Sequence, residues 1–320
     1  MSTLSHNPAP IAVFAFNRLG LLQQTLSALT RCKEFSASAV HVFSDGSRDN
    51  REGESGTVER LRYWVRHWAA DHGATVHEAA TNRGLRTSIV SGTSALLEQD
   101  YRVIVIEDDI LVSPHFLTFM NEALDAYRER TDIVQVSGYF VPHNRRLPKI
   151  GLLRSPATWG WATWRRAWQH YRDDAAALLR EVRSADTDSF NYQGSYAYLD
   201  ELGRNADGTL DTWAVRWYAS VFLRGGLTIY PARSLTRNLG FGEDGTNCGP
   251  GTMAPVYSRQ RIDSKPVNAD WNKVGAVETP SFAAALEEFY RWQQDKWTRP
   301  TWRERVKARL NKVLVSIDRE

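Results

Sequence analysis

Cysteine is nearly absent from this 320-residue chain. Cys32 and Cys248 stand alone, with no CxxC pair and no Cys/His spacing, which excludes a disulfide scaffold and a zinc cluster and fits a reducing, cytoplasmic setting. Long apolar runs are missing too: none approaches the ~20 residues of a membrane span. The N-terminal MSTLSHNPAPIAVFAFNR has no basic n-region followed by a long apolar core, so no secretory signal is expected. No GxGxxG follows the first apolar segment and no GxxxxGKS/T occurs anywhere, so dinucleotide and P-loop readings lose their motif. There is no internal repeat and no low-complexity segment. A net charge of +3 does not argue for a nucleic-acid partner, and none is expected.

Tryptophan is what the chain has in excess. There are twelve, many of them from Trp159 onward; aromatic faces suit sugar rings or bases, and they also build cores. The stretch Tyr101–Phe116, YRVIVIEDDILVSPHF, carries the most chemistry. Its β-branched run Val103–Ile106 reads as a buried central strand of a parallel sheet. Glu107, Asp108 and Asp109 follow at the carboxyl end, where open α/β sheets bind ligands. Carboxylates crowded there repel one another unless a cation or donors neutralise them. A hard divalent metal shared with substrate phosphates fits; an acidic turn facing water is the alternative. Ser113-Pro114 is expected to cap and open the next helix.

Ahead of this stretch the pattern alternates. Strands are predicted at Pro10–Phe16, Val40–Ser44 and Ala74–Glu78, with helices through Leu21–Leu29, Val58–Trp68 and Ile89–Leu97. That alternation implies an α/β fold built on a doubly wound, mostly parallel sheet. Polar groups then fall at four strand ends: Asn17 and Arg18, Asp45, Arg83 and Arg86, and Glu107 to Asp109. The arginines suit bidentate phosphate contacts, or surface ion pairs.

Beyond the acids, an amphipathic helix runs through Phe116, Met120, Ala123, Leu124 and Tyr127, and a strand covers Val134–Gly138. RSPATWGWATWRRAW (Arg154–Trp168) breaks the pattern. Trp159-Gly160-Trp161 would set two aromatic faces beside a backbone open to a ligand; core packing is the competing reading. Glu201–Asp211 is read as a turn-rich loop and Thr212–Leu223 as a helix with Asp211 as its N-cap, or as a rigidly mounted carboxylate base. Leu227–Tyr230 is a strand. Ser234–Pro255 is glycine-rich and aperiodic, a binding loop or lid, or disordered. The tail sets Trp302, Val306, Leu310, Val313, Leu314 and Ile317 on one helical face and Arg303, Arg305, Lys307, Arg309 and Lys312 around the rest. That suits an anionic membrane surface, or docking on the domain or a partner chain.

In order and spacing, FAFNR (14–18), FSDGS (43–47), NRG (82–84), VIEDDILVSPHF (105–116), TWGWATW (158–164), LDTW (210–213) and NLGFGEDGTNC (238–248) resemble the GT-A glycosyltransferases, in particular a bacterial branch similar to the N-acetylglucosaminyltransferase I family. The resemblance covers most of Pro10–Cys248. It implies a nucleotide-sugar donor, read as UDP-linked, and Mn²⁺ or Mg²⁺ held by Asp109. Glu107 and Asp108 would meet the donor's ribose and sugar, Asp45 the base, and Asn17, Arg18, Arg83 and Arg86 the rest of the nucleotide. Asp211 matches the catalytic base of an inverting transfer to a hydroxyl of a glycan or lipid-linked saccharide. Trp159, Gly160, Trp161, Trp213 and Asp244 would line the acceptor side. Related sequences tend to carry a His near Asn247-Cys248, so this chain would use Asp244 or do without it.

The expected organisation is one domain over 1–292, a nucleotide-sugar half of about 8–112 and an acceptor half of about 113–292, followed by a basic amphipathic helix over 293–320. The expected setting is the cytoplasm, with the tail at the inner face of the plasma membrane. Competing classes are a sugar-phosphate nucleotidyltransferase, whose Gly-rich basic loop after the first strand AFNRLGLL does not supply, and a non-catalytic glycan-binding module.

Overall fold

The computed structural model describes residues 7–241 and 254–298. The chain opens with β1 (Ile11–Ala15), α1 (Leu19–Leu29), β2 (Val40–Ser44), α2 (Glu54–His72), β3 (Thr75–Glu78), α3 (Gly84–Gln99) and β4 (Arg102–Glu107). It continues through β5 (Ile110–Val112), α4 (Phe116–Ala126), β6 (Ile133–Ser137), β7 (Ile150–Leu153) and β8 (Trp161–Trp164). Helices α5 (Arg165–Trp168), α6 (Ala175–Ser184), α7 (Thr187–Phe190), α8 (Tyr198–Ala206) and α9 (Ala214–Phe222) follow. Then come β9 (Leu227–Pro231), β10 (Thr236–Asn238), α10 (Ala254–Ser258) and α11 (Pro280–Thr298).

Among the described residues, eight strands form one sheet in the order β3-β2-β1-β4-β8-β6-β9-β7. Strands β3, β2, β1 and β4 are mutually parallel, and β8 runs antiparallel between β4 and β6. The α/β doubly wound expectation holds. Alternation along the strands explains the two layers. In β4, Ile104 and Ile106 pack with α1, α2 and α4, whereas Val103 and Val105 face α3, α5 and α9. Both faces are covered, so the strand reads as one continuous apolar run. A further core joins Tyr139, Phe140 and Leu153 to α6–α9 and α11.

Five boundaries differ from the sequence reading. Ser113 does not cap α4, which starts at Phe116. Its Oγ instead donates to the Asp263 carbonyl (2.7 Å) and accepts from His115 N–H (3.2 Å). The supposed loop 201–211 begins inside α8, whose Leu199, Leu202 and Ala206 fall at helical spacing and pack into the core; the turn residues around Gly208 masked it. Asp211 is not the N-cap of α9: Trp213 precedes that helix and no side chain caps it. The tryptophan-rich segment contains β8, a strand the composition obscured. Helix α11 runs unbroken past residue 292. The tail beyond 298, the site expected for membrane contact, and Asp244 with Asn247-Cys248 lie outside the described residues.

Candidate active site

Strands β2 and β3 lie to one side of β1 and β4 to the other. The carboxyl ends of β1 and β4 therefore flank the point where the strand order reverses, the usual ligand crevice of open α/β sheets. Arg18 leaves the end of β1 and Glu107-Asp108-Asp109 leave the end of β4. The Arg18 guanidinium spans the crevice: Nη2 pairs with Asp108 Oδ1, and Nη1 pairs with Asp109 Oδ2 at 2.9 Å. Thr25 Oγ1 donates to the Asp108 carbonyl (2.8 Å), fixing the turn against α1.

One guanidinium faces three acids. Burial, then the charges of Asp109 and Asp108, push the Glu107 carboxyl up, with Arg18 opposing. Burial also raises Asp108 and Asp109 against the pull of Arg18. For Arg18, burial works against the charge, yet Asp108 and Asp109 outweigh it and the net shift is upward. The cluster is thus short of positive charge. Asp108 Oδ2 and Asp109 Oδ1 are buried and have no hydrogen-bond partner.

A second strand pair roofs the acids. β10 pairs antiparallel with β5, placing Asn238 opposite Ile110. Leu239 N–H donates to the Asp109 carbonyl (2.8 Å) and Gly240 N–H to Asn238 Oδ1 (2.6 Å). A Cβ on Gly240 would overlap Asp109 Oδ2 and stand 3.0 Å from Arg18 Nη1. Only glycine leaves this space over the carboxylate.

The residues present fit a hard divalent cation. Two unspent carboxylate oxygens match the oxygen ligands Mg²⁺ and Mn²⁺ take, with the remaining positions left to phosphate and water. Among the described residues no group of three or more His, Cys, Asp or Glu could hold a metal unaided.

Asp45 holds the backbone around it. Oδ1 accepts from Gly46 N–H (2.9 Å) and Arg83 N–H (2.8 Å), and Oδ2 from Gly84 N–H (2.9 Å) and Asn82 Nδ2 (3.1 Å). Those four bonds engage both of its oxygens, and Asp45 also lines the neighbouring recess. The carboxylate pins residues 82–84 and the amino end of α3, where negative charge is favourable. Arg62, missed from sequence, ties the Asp45 and Ala79 carbonyls together (3.1 and 2.6 Å). Beside this pin lies a recess of about 270 Å³ lined by Phe43, Ser44, His77, Arg83 and Gly92. Its aromatic wall is a stacked column, Phe14–Phe43–His77, with centroids 5.0 and 4.4 Å apart. The exposed Arg83 side chain edges this recess. Asn17 Nδ2 approaches Glu54 Oε1 at 3.4 Å, linking the end of β1 to α2.

Arg86 does not stand free for phosphate. Nε donates to Asp211 Oδ1 and Nη1 to Asp173 Oδ2, both at 2.6 Å. Arg216, on the first turn of α9 and buried, also donates to Asp211 Oδ1 (3.1 Å) and to Asn205 Oδ1 (2.6 Å). Both arginines grip the same Asp211 oxygen, and the side chain remains 60% exposed. Asp173, Asn205 and Arg216 carried no sequence signal; only the meeting of α3, α8 and α9 shows them.

The aromatic candidates divide. Trp161 and Trp213 are core: both are buried and stack on each other at 5.1 Å. Neither presents a face to a ligand, because β8 points Trp161 into the layer formed with α3 and α9. Gly160 has φ +75°, and a Cβ there would stand 2.8 Å from Thr236 Cγ2, so packing explains it. Trp159 alone is partly exposed. It meets Tyr139, Phe241 and Tyr257 edge-on, with centroids 4.5–5.4 Å away, next to the Gly240 roof.

No protein-family model matches the chain, and no curated protein matches it. Among solved structures it is similar to the 1–349 portion of S. aureus TarS, at 13% identity over 73% of this chain and 61% of that one, with a TM-score of 0.42. It is similar to GalNAc-T7 with UDP, GalNAc and Mn²⁺, at 10% identity over 71% of this chain and 43% of that one (TM-score 0.43). A third is the mannosyltransferase PcManGT from Pyrobaculum calidifontis with GDP-Man and Mn²⁺: 11% identity, 69% and 70% of the two chains, TM-score 0.37. A cytidylyltransferase from Leptospira borgpetersenii is similar at 12% identity over 61% and 72%, with a TM-score of 0.30. This chain spans 23% of the length of a longer TarS structure. Similarities this low assign no activity. Among the described residues no helix is long and apolar enough to cross a membrane.

Proposed function

We propose that the chain is a metal-dependent glycosyltransferase of the GT-A type. It moves a sugar, read as a UDP-linked hexose or N-acetylhexosamine, to a hydroxyl of a glycan or lipid-linked saccharide in surface polysaccharide synthesis. One observation carries this reading. Three acids and one arginine meet across the switch point of the sheet, and two buried carboxylate oxygens there are unspent.

In this reading Asp109, with Asp108 beside it, holds Mn²⁺ or Mg²⁺ together with the donor diphosphate. The cation supplies positive charge to the departing diphosphate. The recess beside Phe43, His77 and Arg83 takes the nucleobase against its aromatic wall. Asp211, held through one oxygen by Arg86 and Arg216, uses the other to accept the proton of the acceptor hydroxyl. The acceptor oxygen bonds to the anomeric carbon as that carbon's bond to the diphosphate oxygen breaks, with inversion. Such base catalysis typically contributes ~10²–10⁴-fold. Trp159 offers the acceptor sugar an aromatic face, and residues 297–320 bring the enzyme to an anionic membrane.

A panel of nucleotide sugars, assayed for Mn²⁺-dependent diphosphate release with and without saccharide acceptors, tests the reading. We expect one donor class to respond, and Asp109→Ala to abolish Mn²⁺-dependent nucleotide binding by calorimetry. Pyrophosphate release from a nucleoside triphosphate and a sugar phosphate would overturn it. Liposome flotation with and without 297–320 tests the tail.

A further inference from the structure

Arg18 is placed where a metal-binding carboxylate pair would not tolerate a permanent cation without cost. It leaves the end of β1 just before α1, has a side-chain exposure of 19%, and contacts both Asp108 and Asp109. Its two printed pairings use one oxygen of each acid, Asp108 Oδ1 and Asp109 Oδ2, and leave the other oxygen of each without a partner. A cation taken up by those free oxygens would sit beside a guanidinium, in a buried setting where like charges repel strongly. A diphosphate in the same crevice changes the balance, because its oxygens offer Arg18 a bidentate partner.

We propose that Arg18 is a resident counter-cation that suppresses metal binding in the absence of donor, so that metal and nucleoside diphosphate enter the site as a linked pair. The inference rests on the metal reading given under Proposed function. With the crevice empty of donor, Arg18 neutralises the acids and keeps them together. When the diphosphate arrives, Arg18 turns to its oxygens, and the repulsion on the metal falls. Linkage then requires that metal raise nucleotide affinity by the same factor that nucleotide raises metal affinity.

The test is Mn²⁺ binding followed by the loss of the free-ion EPR signal, for the wild-type chain and Arg18→Gln, each with and without UDP or GDP. We expect wild type to bind Mn²⁺ weakly alone and much more tightly with nucleotide. Arg18→Gln should bind Mn²⁺ alone about tenfold more tightly or better, and its gain from nucleotide should shrink. Unchanged or weaker Mn²⁺ affinity in the variant, with wild type still binding Mn²⁺ alongside nucleotide, overturns the role of Arg18 and leaves the metal reading standing. No Mn²⁺ binding by either protein under any condition overturns both. Should Arg18→Gln fail to fold without metal, Arg18→Met carries the same comparison, since it too removes the charge while keeping an apolar stem of similar length. Its Mn²⁺ affinity without nucleotide should lie above that of wild type, and an unchanged affinity overturns the proposal.

Discussion

Arg86 Nε donates to Asp211 Oδ1 at 2.6 Å, joining residues 125 apart in sequence. Arg86 stands on the first turn of α3, which the Asp45 carboxylate pins at its amino end, and Asp211 stands just ahead of α9. The contact therefore ties the first half of the chain to the helices of the second half. Because Arg216 grips the same oxygen, the carboxylate has one fixed and one open position. We expect Asp211→Asn to leave nucleotide binding intact by calorimetry and to lower transfer by ~10²–10⁴-fold. Transfer at the wild-type rate would remove Asp211 as the base.

Asp45 is a structural pin, so its loss should be read in stability first. Asp45→Asn keeps one acceptor oxygen and turns an amide toward two N–H donors. Unsatisfied buried groups of this kind cost about 1–3 kcal/mol. Denaturant melts should show that loss; a melt equal to wild type would contradict the four-bond geometry.

Gly240→Ala probes the roof over Asp109. The added Cβ overlaps Asp109 Oδ2, and relieving such an overlap costs about 1–3 kcal/mol. Nucleotide affinity in the presence of Mn²⁺ should fall while that of Gly203→Ala, at a helical position where a Cβ meets nothing within 4 Å, should not.

The tryptophans should separate cleanly. Trp161→Ala removes a fully buried ring stacked on Trp213 and should cost about 3–5 kcal/mol of stability. Trp159→Ala should cost much less and should raise the acceptor KM once an acceptor is known. Equal destabilisation by both would place Trp159 in the core with Trp161.

Much of the first half could be read directly. Strand β2 falls at Val40–Ser44 as the residue pattern predicts, and β4 follows from its continuous apolar run. Strands covered on both faces leave that signature, and turn residues bound it. The acids at a strand end follow from the alternation of strands and helices, whereas the strand order that makes this end a switch point appears only in the folded sheet. Strand β8 did not show, because it is an antiparallel insertion whose two tryptophans point to opposite faces. No single periodicity marks a strand buried on both sides in a segment where every other residue is also aromatic or small.

Sequence determined the elements and the chemistry available at their ends: an arginine after β1, three acids after β4, and a lone aspartate ahead of α9. It could not say which of these are spent. Asp45 is engaged by three backbone N–H groups and the Asn82 amide, Arg86 is committed to Asp211 and Asp173, and Trp161 is core. Asp108 and Asp109 each keep a buried oxygen without a partner. That division is set by hydrogen-bond geometry between segments far apart in the chain. It exists only once β1, β4, β10 and α9 have packed.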